Sequence, residues 1–219
     1  MEDLEKGKCI IVGAGDFVPI EIPKKEADFC IAADGGLEYC EMVGVLPDVI
    51  LGDFDSLGFQ QKQTLEEIER ESPQRVIRLP REKDDTDMMS AIRLGLEKGY
   101  QKFYLYGAIG GRLDHTIANI QCLIYLKNHG AKGYMMEHKQ LLTVIKNETI
   151  TFHPSMEGRL SIFSMEKKAE GVTLSNLKYE LEDAVITNDF PIGISNEFVG
   201  KTATVSVKNG TLLVMAAWE

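Results

Sequence analysis

The chain has 219 residues, 44% of them hydrophobic and 26% charged, the proportions of an ordinary globular protein long enough to bury a substantial core. Its 34 acidic and 24 basic residues give a formal net charge of −10 with no Lys/Arg-rich run, which argues against nonspecific nucleic-acid binding. The acidic start, Met1 to Lys6, leads into a short apolar run, Cys9 to Val12, that suits neither a secretory signal nor a membrane span.

Over the first 140 residues, short β-type runs alternate with helical stretches. Cys9-Ile10-Ile11-Val12 and Phe29-Cys30-Ile31-Ala32-Ala33 open the series, and Val49-Ile50-Leu51, Arg75 to Leu79 and Phe103 to Tyr106 continue it. Between them Leu65 and Ile68 mark one helix, Met88, Met89, Ile92 and Leu96 stripe a second, and Ile117, Ile120, Leu123, Ile124 and Leu126 a third. Continuous apolar strands separated by helices predict a parallel sheet covered on both faces, a Rossmann-like α/β domain over residues 1–140. From about Leu141 the period becomes two, as in Leu142 to Ile145 and Thr149 to Phe152. Thr202 to Val207 and Thr211 to Met215 flank Asn209-Gly210 and read as a hairpin with a tight turn. Residues 141–219 are therefore expected to form an antiparallel β-sandwich domain, thin enough that a partner subunit could complete its core. The cysteines at 9, 30, 40 and 122 show no CxxC pairing and read as free thiols of a reducing cytoplasm, with no zinc site.

The aspartates fall just after the predicted strands. Asp34 follows the second in Ala33-Asp34-Gly35-Gly36, and Asp53 and Asp55 follow the third in Gly52-Asp53-Phe54-Asp55-Ser56. Asp84, Asp85 and Asp87 follow the fourth in Lys83-Asp84-Asp85-Thr86-Asp87, and Asp114 follows the fifth in Gly110-Gly111-Arg112-Leu113-Asp114. Singly, each has a plain structural reading: Asp-Gly-Gly as a turn, Asp84 or Thr86 as a helix N-cap, Asp87 as a partner of the helix dipole, Asp114 as a cap. Together they sit on one edge of a parallel sheet, the carboxyl edge where open α/β sheets bind ligands. So many carboxylates on one edge repel each other unless a cation sits among them, and oxygen-only ligation without His or Cys suits Mg²⁺ with phosphate oxygens. Gly107, Gly110 and Gly111 would let backbone N–H groups approach phosphates, with Arg112 adding a charged fork. No GxxxxGK[ST] sequence occurs, Gly13-Ala14-Gly15 lacks the third glycine of a dinucleotide fingerprint, and His115, His129, His138 and His153 have no ligand spacing, His115 reading as a capping or packing residue.

These motifs, in this order, resemble the thiamine pyrophosphokinase family of bacterial type: Ala33 to Gly36, Pro47-Asp48 followed by Gly52 to Ser56, Lys83 to Asp87, and Gly110 to Asp114. Gly193-Ile194-Ser195-Asn196-Glu197 is similar to the family's Ser-Asn segment near thiamine, and Tyr179 sits where animal members look to carry Trp. The resemblance implies transfer of the pyrophosphoryl group of ATP to thiamine, giving thiamine diphosphate and AMP, in a cytoplasmic homodimer with its active site at the subunit interface. It implies Asp53, Asp55 and Asp87 as Mg²⁺ ligands and, with Asp114, as catalytic groups. Asp34, Gly35, Gly36, Lys83, Asp84, Gly110, Gly111 and Arg112 would bind the nucleotide, and Tyr179, Ser195 and Asn196 would bind thiamine. The residues alone are equally consistent with kinase chemistry that yields ADP; the resemblance decides for attack at the β-phosphorus.

Overall fold

The apolar runs of the first half become strands because they carry β-branched and aromatic side chains, and the central ones, Cys9–Val12, Phe29–Ala33 and Val49–Gly52, are buried along nearly their whole length. In the computed structural model, which describes residues 6–55, 57–82 and 84–218, Cys9, Ile10, Ile11 and Val12 of the first strand all have 0% exposure. The chain divides into two compact units, one ending at His138 and the other beginning at Lys139.

The first unit runs β1 (Cys9–Val12), β2 (Phe29–Ala33), α1 (Gly36–Met42), β3 (Val49–Gly52), α2 (Phe59–Glu71), a 3₁₀ turn (Pro73–Arg75), β4 (Val76–Arg78), α3 (Asp87–Glu97), β5 (Lys102–Tyr106), α4 (Leu113–Asn128) and β6 (Lys132–Glu137). Its strands lie in the order β6-β5-β1-β2-β3-β4, every pair parallel. On one face Ile10, Val12, Cys30, Ala32 and Ile50 pack with Leu37 and Cys40 of α1 and Leu65 of α2. α3 lies against β1, β2 and β3 and buries Met88, Ala91 and Ile92. Thr86 caps α3 by accepting the Met89 N–H at 3.2 Å, and Asp87 occupies the first turn, where a carboxylate complements the helix dipole. The fourth strand is shorter than the sequence suggests, because Pro73 starts a 3₁₀ turn that takes up Arg75.

The second unit contains β7 (Gln140–Lys146), β8 (Thr149–Phe152), β9 (Arg159–Ser164), β10 (Lys168–Ser175), β11 (Leu181–Thr187), β12 (Asn196–Glu197), β13 (Ala203–Ser206) and β14 (Thr211–Ala217). They form two antiparallel layers, β12-β9-β14-β7 and β11-β10-β13-β8. Leu160, Ile162, Leu212 and Val214 of one layer share a core with Val172, Leu174, Ile186 and Val205 of the other. The strands on either side of Asn209-Gly210 do not pair as a hairpin, contrary to the sequence reading. β13 pairs with β8 and β10, and β14 with β7 and β9, so the connection carries the chain from one layer to the other. The Asn-Gly signal reports a backbone conformation, with Gly210 at φ 124°, and says nothing of which strands flank it. The Gly210 N–H donates to Asn147 Oδ1 at 2.8 Å, the Glu170 N–H to the Asn209 carbonyl at 2.8 Å and the Asn209 N–H to the Glu170 carbonyl at 3.1 Å, which fixes this corner from outside.

All four cysteines are free and buried. Burial pushes the Cys122 thiol up to about 11 and raises that of Cys9 as well. Among the described residues no helix is long and apolar enough to cross a membrane.

Candidate active site

β1 lies between β2 and β5, so successive connections leave it in opposite directions across the sheet, and a crevice opens where they part. There the segment after β1 and the segment after β5 touch backbone to backbone. The Gly13 N–H donates to the Tyr106 carbonyl at 2.8 Å, Gly15 N–H to Gly107 at 2.8 Å and Asp16 N–H to Ile109 at 3.0 Å. A Cβ on Gly15 would stand 2.5 Å from the Ile109 oxygen, which is why this position takes no side chain. The Tyr39 hydroxyl, from α1, donates to the Gly15 carbonyl at 2.6 Å and closes the seam from outside.

A cavity of about 800 Å³ occupies the crevice. Its wall contains Gly13, Ala14 and Gly15 after β1, Asp34 after β2, Asp53 and Asp55 after β3, Arg81, Asp85, Thr86 and Asp87 after β4, and Gly107, Ala108, Gly110, Gly111, Arg112, His115 and Asn119 after β5. Every one of these groups sits in the segment that follows a parallel strand or in the first turns of the helix that comes next.

The Asp53-Phe54-Asp55 segment is shaped by its middle residue. Phe54 is 4% exposed, packs into the core beneath the sheet edge and has φ 61°, a left-handed conformation that a bulky side chain rarely adopts. Anchoring it there turns Asp53 and Asp55 outward into the cavity. Asp53 Oδ1 accepts the Asp55 N–H at 3.1 Å, and Asp55 Oδ2 lies 3.2 Å from the guanidinium of Arg81. Asp34 also has a left-handed backbone, φ 49°, ahead of Gly36, where a Cβ would run into the Val12 carbonyl. Such outliers cost about 1–3 kcal/mol each and gather where function requires them.

Among the described residues no three His, Cys, Asp or Glu side chains converge as a ready-made metal cage. Most of the ligating side chains on its wall are the carboxylates of Asp34, Asp53, Asp55, Asp85 and Asp87, with His115 the one imidazole among them, and a guanidinium already stands beside Asp55 as counter-charge. That chemistry fits a hard cation taking one to three protein carboxylates and completing its shell with phosphate oxygens and water.

Of the sequence-predicted residues, Asp34, Asp53, Asp55, Asp87, Gly110, Gly111 and Arg112 line the cavity. Gly35, Gly36, Asp84 and Asp114 do not; Lys83 lies outside the described residues. Asp114 instead forms a two-point pair with Arg112, at 2.6 and 3.2 Å, which holds its carboxyl below the usual range. His115, read as a cap or packing residue, is exposed and lines the cavity. Arg81 and Asn119 were not singled out from the sequence. Asn119 is buried at 7% exposure and its Nδ2 donates to the Ala108 carbonyl at 2.7 Å; its only sequence signal was a polar residue on the apolar stripe of α4.

In the second unit Asn196 is 2% exposed and its amide is committed to the fold. Nδ2 donates to the Tyr179 carbonyl at 2.6 Å, and Oδ1 accepts the N–H groups of Tyr179 and Glu197 at 2.9 Å each. Asn196 thus fixes the backbone of Tyr179, whose ring is 59% exposed with Lys178 Nζ 5.5 Å from its centroid. Ser195 is exposed, has φ 55°, and donates its N–H to Ser161 Oγ at 3.0 Å.

Comparison with known proteins adds a family to this geometry. Residues 23–135 match the thiamin pyrophosphokinase catalytic domain and residues 147–212 the thiamin pyrophosphokinase vitamin B1 binding domain. The chain is 30% identical over 197 residues to the thiamine pyrophosphokinase of Bacillus subtilis, covering 86% of this chain and 87% of that protein. The crystal structure of a Bacillus subtilis thiamine pyrophosphokinase superposes with a TM-score of 0.84 at 26% identity, covering 97% of this chain and 100% of that one. The thiamin pyrophosphokinase of Geobacillus thermodenitrificans gives 0.82 at 26% identity over 97% and 98%. The yeast enzyme, at 17% identity, shares the fold with a TM-score of 0.77 over 99% and 88%.

The bonding of Asn196 separates scaffold from contact surface. Asn196→Ala is expected to lower stability by about 1–3 kcal/mol, because the Tyr179 backbone loses both partners, whereas Tyr179→Ala should stay within about 0.5 kcal/mol. Urea denaturation of the two variants checks this, and equal stabilities would contradict it.

Proposed function

The chain belongs to the thiamin pyrophosphokinase family and is an enzyme of that class, and we propose that it binds ATP in the cavity at the carboxyl edge of its parallel sheet. The β and γ phosphates then pass together to the thiamine hydroxyl, leaving AMP. The observation that carries this reading is that Asp34, Asp53, Asp55 and Asp87 share one cavity with Gly110, Gly111 and Arg112. Carboxylates for a hard cation and glycines with an arginine for phosphate are the complementary halves of a metal–nucleotide site.

Asp53, Asp55 and Asp87 would hold Mg²⁺, which when bound neutralises charge on the triphosphate and the departing AMP. The chain's own part is positioning. Asp114 orients the Arg112 fork toward the phosphates, and the Gly110-Gly111 backbone allows them close approach. Asp34 forms part of the wall beside the nucleotide, with Gly35 and Gly36 carrying the chain away behind it, and Lys83 and Asp84 belong to the same motif as Asp87. Thiamine's thiazolium cation suits the exposed ring of Tyr179 beside Ser195, with Asn196 holding that ring's backbone in place.

We place the active site at the interface of a cytoplasmic homodimer, with the domain over residues 1–140 holding nucleotide and metal and that over 141–219 contributing thiamine binding and dimerisation. Phe190, Ile192, Ile194 and Val199, all exposed and flanking Ser195, supply the apolar surface such an interface needs.

Asp53→Asn, Asp55→Asn and Asp87→Asn are each expected to reduce turnover by at least about a hundredfold while the circular dichroism spectrum is retained. A triple variant with wild-type turnover would remove the metal-site argument. ATP labelled at the γ position should pass its label to thiamine diphosphate with stoichiometric AMP; stoichiometric ADP and thiamine monophosphate would refute attack at the β-phosphorus. Sedimentation of the pure protein should give a dimer, and a fully active monomer at assay concentration would exclude the shared site.

A further inference from the structure

The loop from Gly107 to Gly111 forms one wall of the cavity and is held by side chains that approach it from two elements, α4 and β6. Asn119 Nδ2 of α4 donates to the Ala108 carbonyl, and Thr116 Oγ1 of α4 accepts the Gly110 N–H at 3.2 Å. From the other side, Glu137 Oε1 at the end of β6 accepts the Ala108 N–H at 3.1 Å, and the Ile109 N–H also bonds to this carboxylate. Ala108 is 2% exposed, so water cannot take the place of that acceptor.

We propose that Glu137 is a positioning residue for nucleotide binding, its carboxylate holding the Gly107–Gly111 loop in the shape that receives phosphate. The proposal rests on the reading of this cavity as the nucleotide site.

The chemistry of Glu137 separates this role from simple stabilisation. Burial raises its carboxyl to about 7, against the lowering effect of the Ala108 and Ile109 N–H groups and with Asp16 adding to the rise. The folded protein therefore binds this proton more tightly than the unfolded chain does. Glu137 favours folding fully below its ordinary value of 4.5, and that contribution is lost as pH rises through about 7. An ionised carboxylate retained here burdens the fold above neutrality, and what it supplies in return is charge-assisted acceptance of two loop N–H groups. A purely electrostatic role is separable too: a negative charge beside a phosphate site repels the ligand, so removing it would tighten binding. Loss of positioning has the opposite sign.

The test compares wild type, Glu137→Gln and Glu137→Asp as full-length proteins. Hydrogen exchange of the ligand-free protein should show faster exchange in the segment 107–111 for both variants. Isothermal titration with ATP and excess Mg²⁺ at pH 8 should show affinity weakened about fivefold or more for both, although one variant keeps the charge. Urea denaturation at pH 8 should find Glu137→Gln at least as stable as wild type. Lowering the pH from 8 to 6 should add a weakening step near pH 7 to the wild type that Glu137→Gln lacks. Asp16 after β1 and Tyr39 of α1 face Glu137 and are common to all three proteins, as are His115 and the titrating phosphates of ATP. Unchanged exchange in both variants, or tighter ATP binding by Glu137→Gln, overturns the proposal. Absence of saturable ATP binding by the wild type would instead remove the nucleotide reading, and exchange would still decide whether Glu137 sets the loop.

Discussion

Two stretches of backbone meet edge to edge where the chain leaves β1 and β5, and the rest of the cavity is arranged about that contact. Three N–H groups, of Gly13, Gly15 and Asp16, are taken up by carbonyls of the β5 strand end and its loop. With those carbonyls turned toward β1, the Ala108 and Ile109 N–H groups have to find acceptors elsewhere, and the protein supplies one from β6. A parallel sheet places this junction at its topological switch point, so one hydrogen-bonded seam fixes both the floor of the cavity and the spacing between its walls.

The acidic wall is fixed by different means. Strand ends determine where Asp34, Asp53 and Asp55 emerge, but left-handed backbones at Asp34 and Phe54 determine where they point. Burying the Phe54 ring stabilises the fold by about 1.5–3 kcal/mol, enough to offset an outlier costing about 1–3 kcal/mol. The core thus holds the two carboxylates two residues apart against their mutual repulsion. Arg81 relieves part of that repulsion at Asp55, from a side chain that is itself 80% exposed and so free to yield to a stronger cation or to turn toward phosphate.

Much of this was legible in the sequence because hydrophobic period and strand-end position are local properties. The runs Cys9–Val12 and Phe29–Ala33 became strands with those bounds, and of the two N-cap candidates, Asp84 and Thr86, it is Thr86 that caps α3. What escaped depends on contacts distant in sequence. Asn209-Gly210 looked like a hairpin because a turn signal carries no information about which layer each flanking strand joins. The resemblance gives Asn196 as a thiamine contact, but its bonds to the backbone of Tyr179, 17 positions away, carry no sequence signal. Glu137 lies 29 positions from Ala108 at the end of a strand, where a lone acidic residue carries no signal at all.

The burial of all four cysteines has a practical side. Thiols that are covered and harder to ionise react slowly with maleimides and other alkylating agents, so the native surface is silent toward such reagents. A single cysteine introduced at an exposed position, such as Val185 on β11 or Leu46 ahead of β3, would carry a fluorophore or spin label as the one reactive handle on the molecule. Spectroscopic distance measurements could then follow this protein through its catalytic cycle with every native thiol left in place.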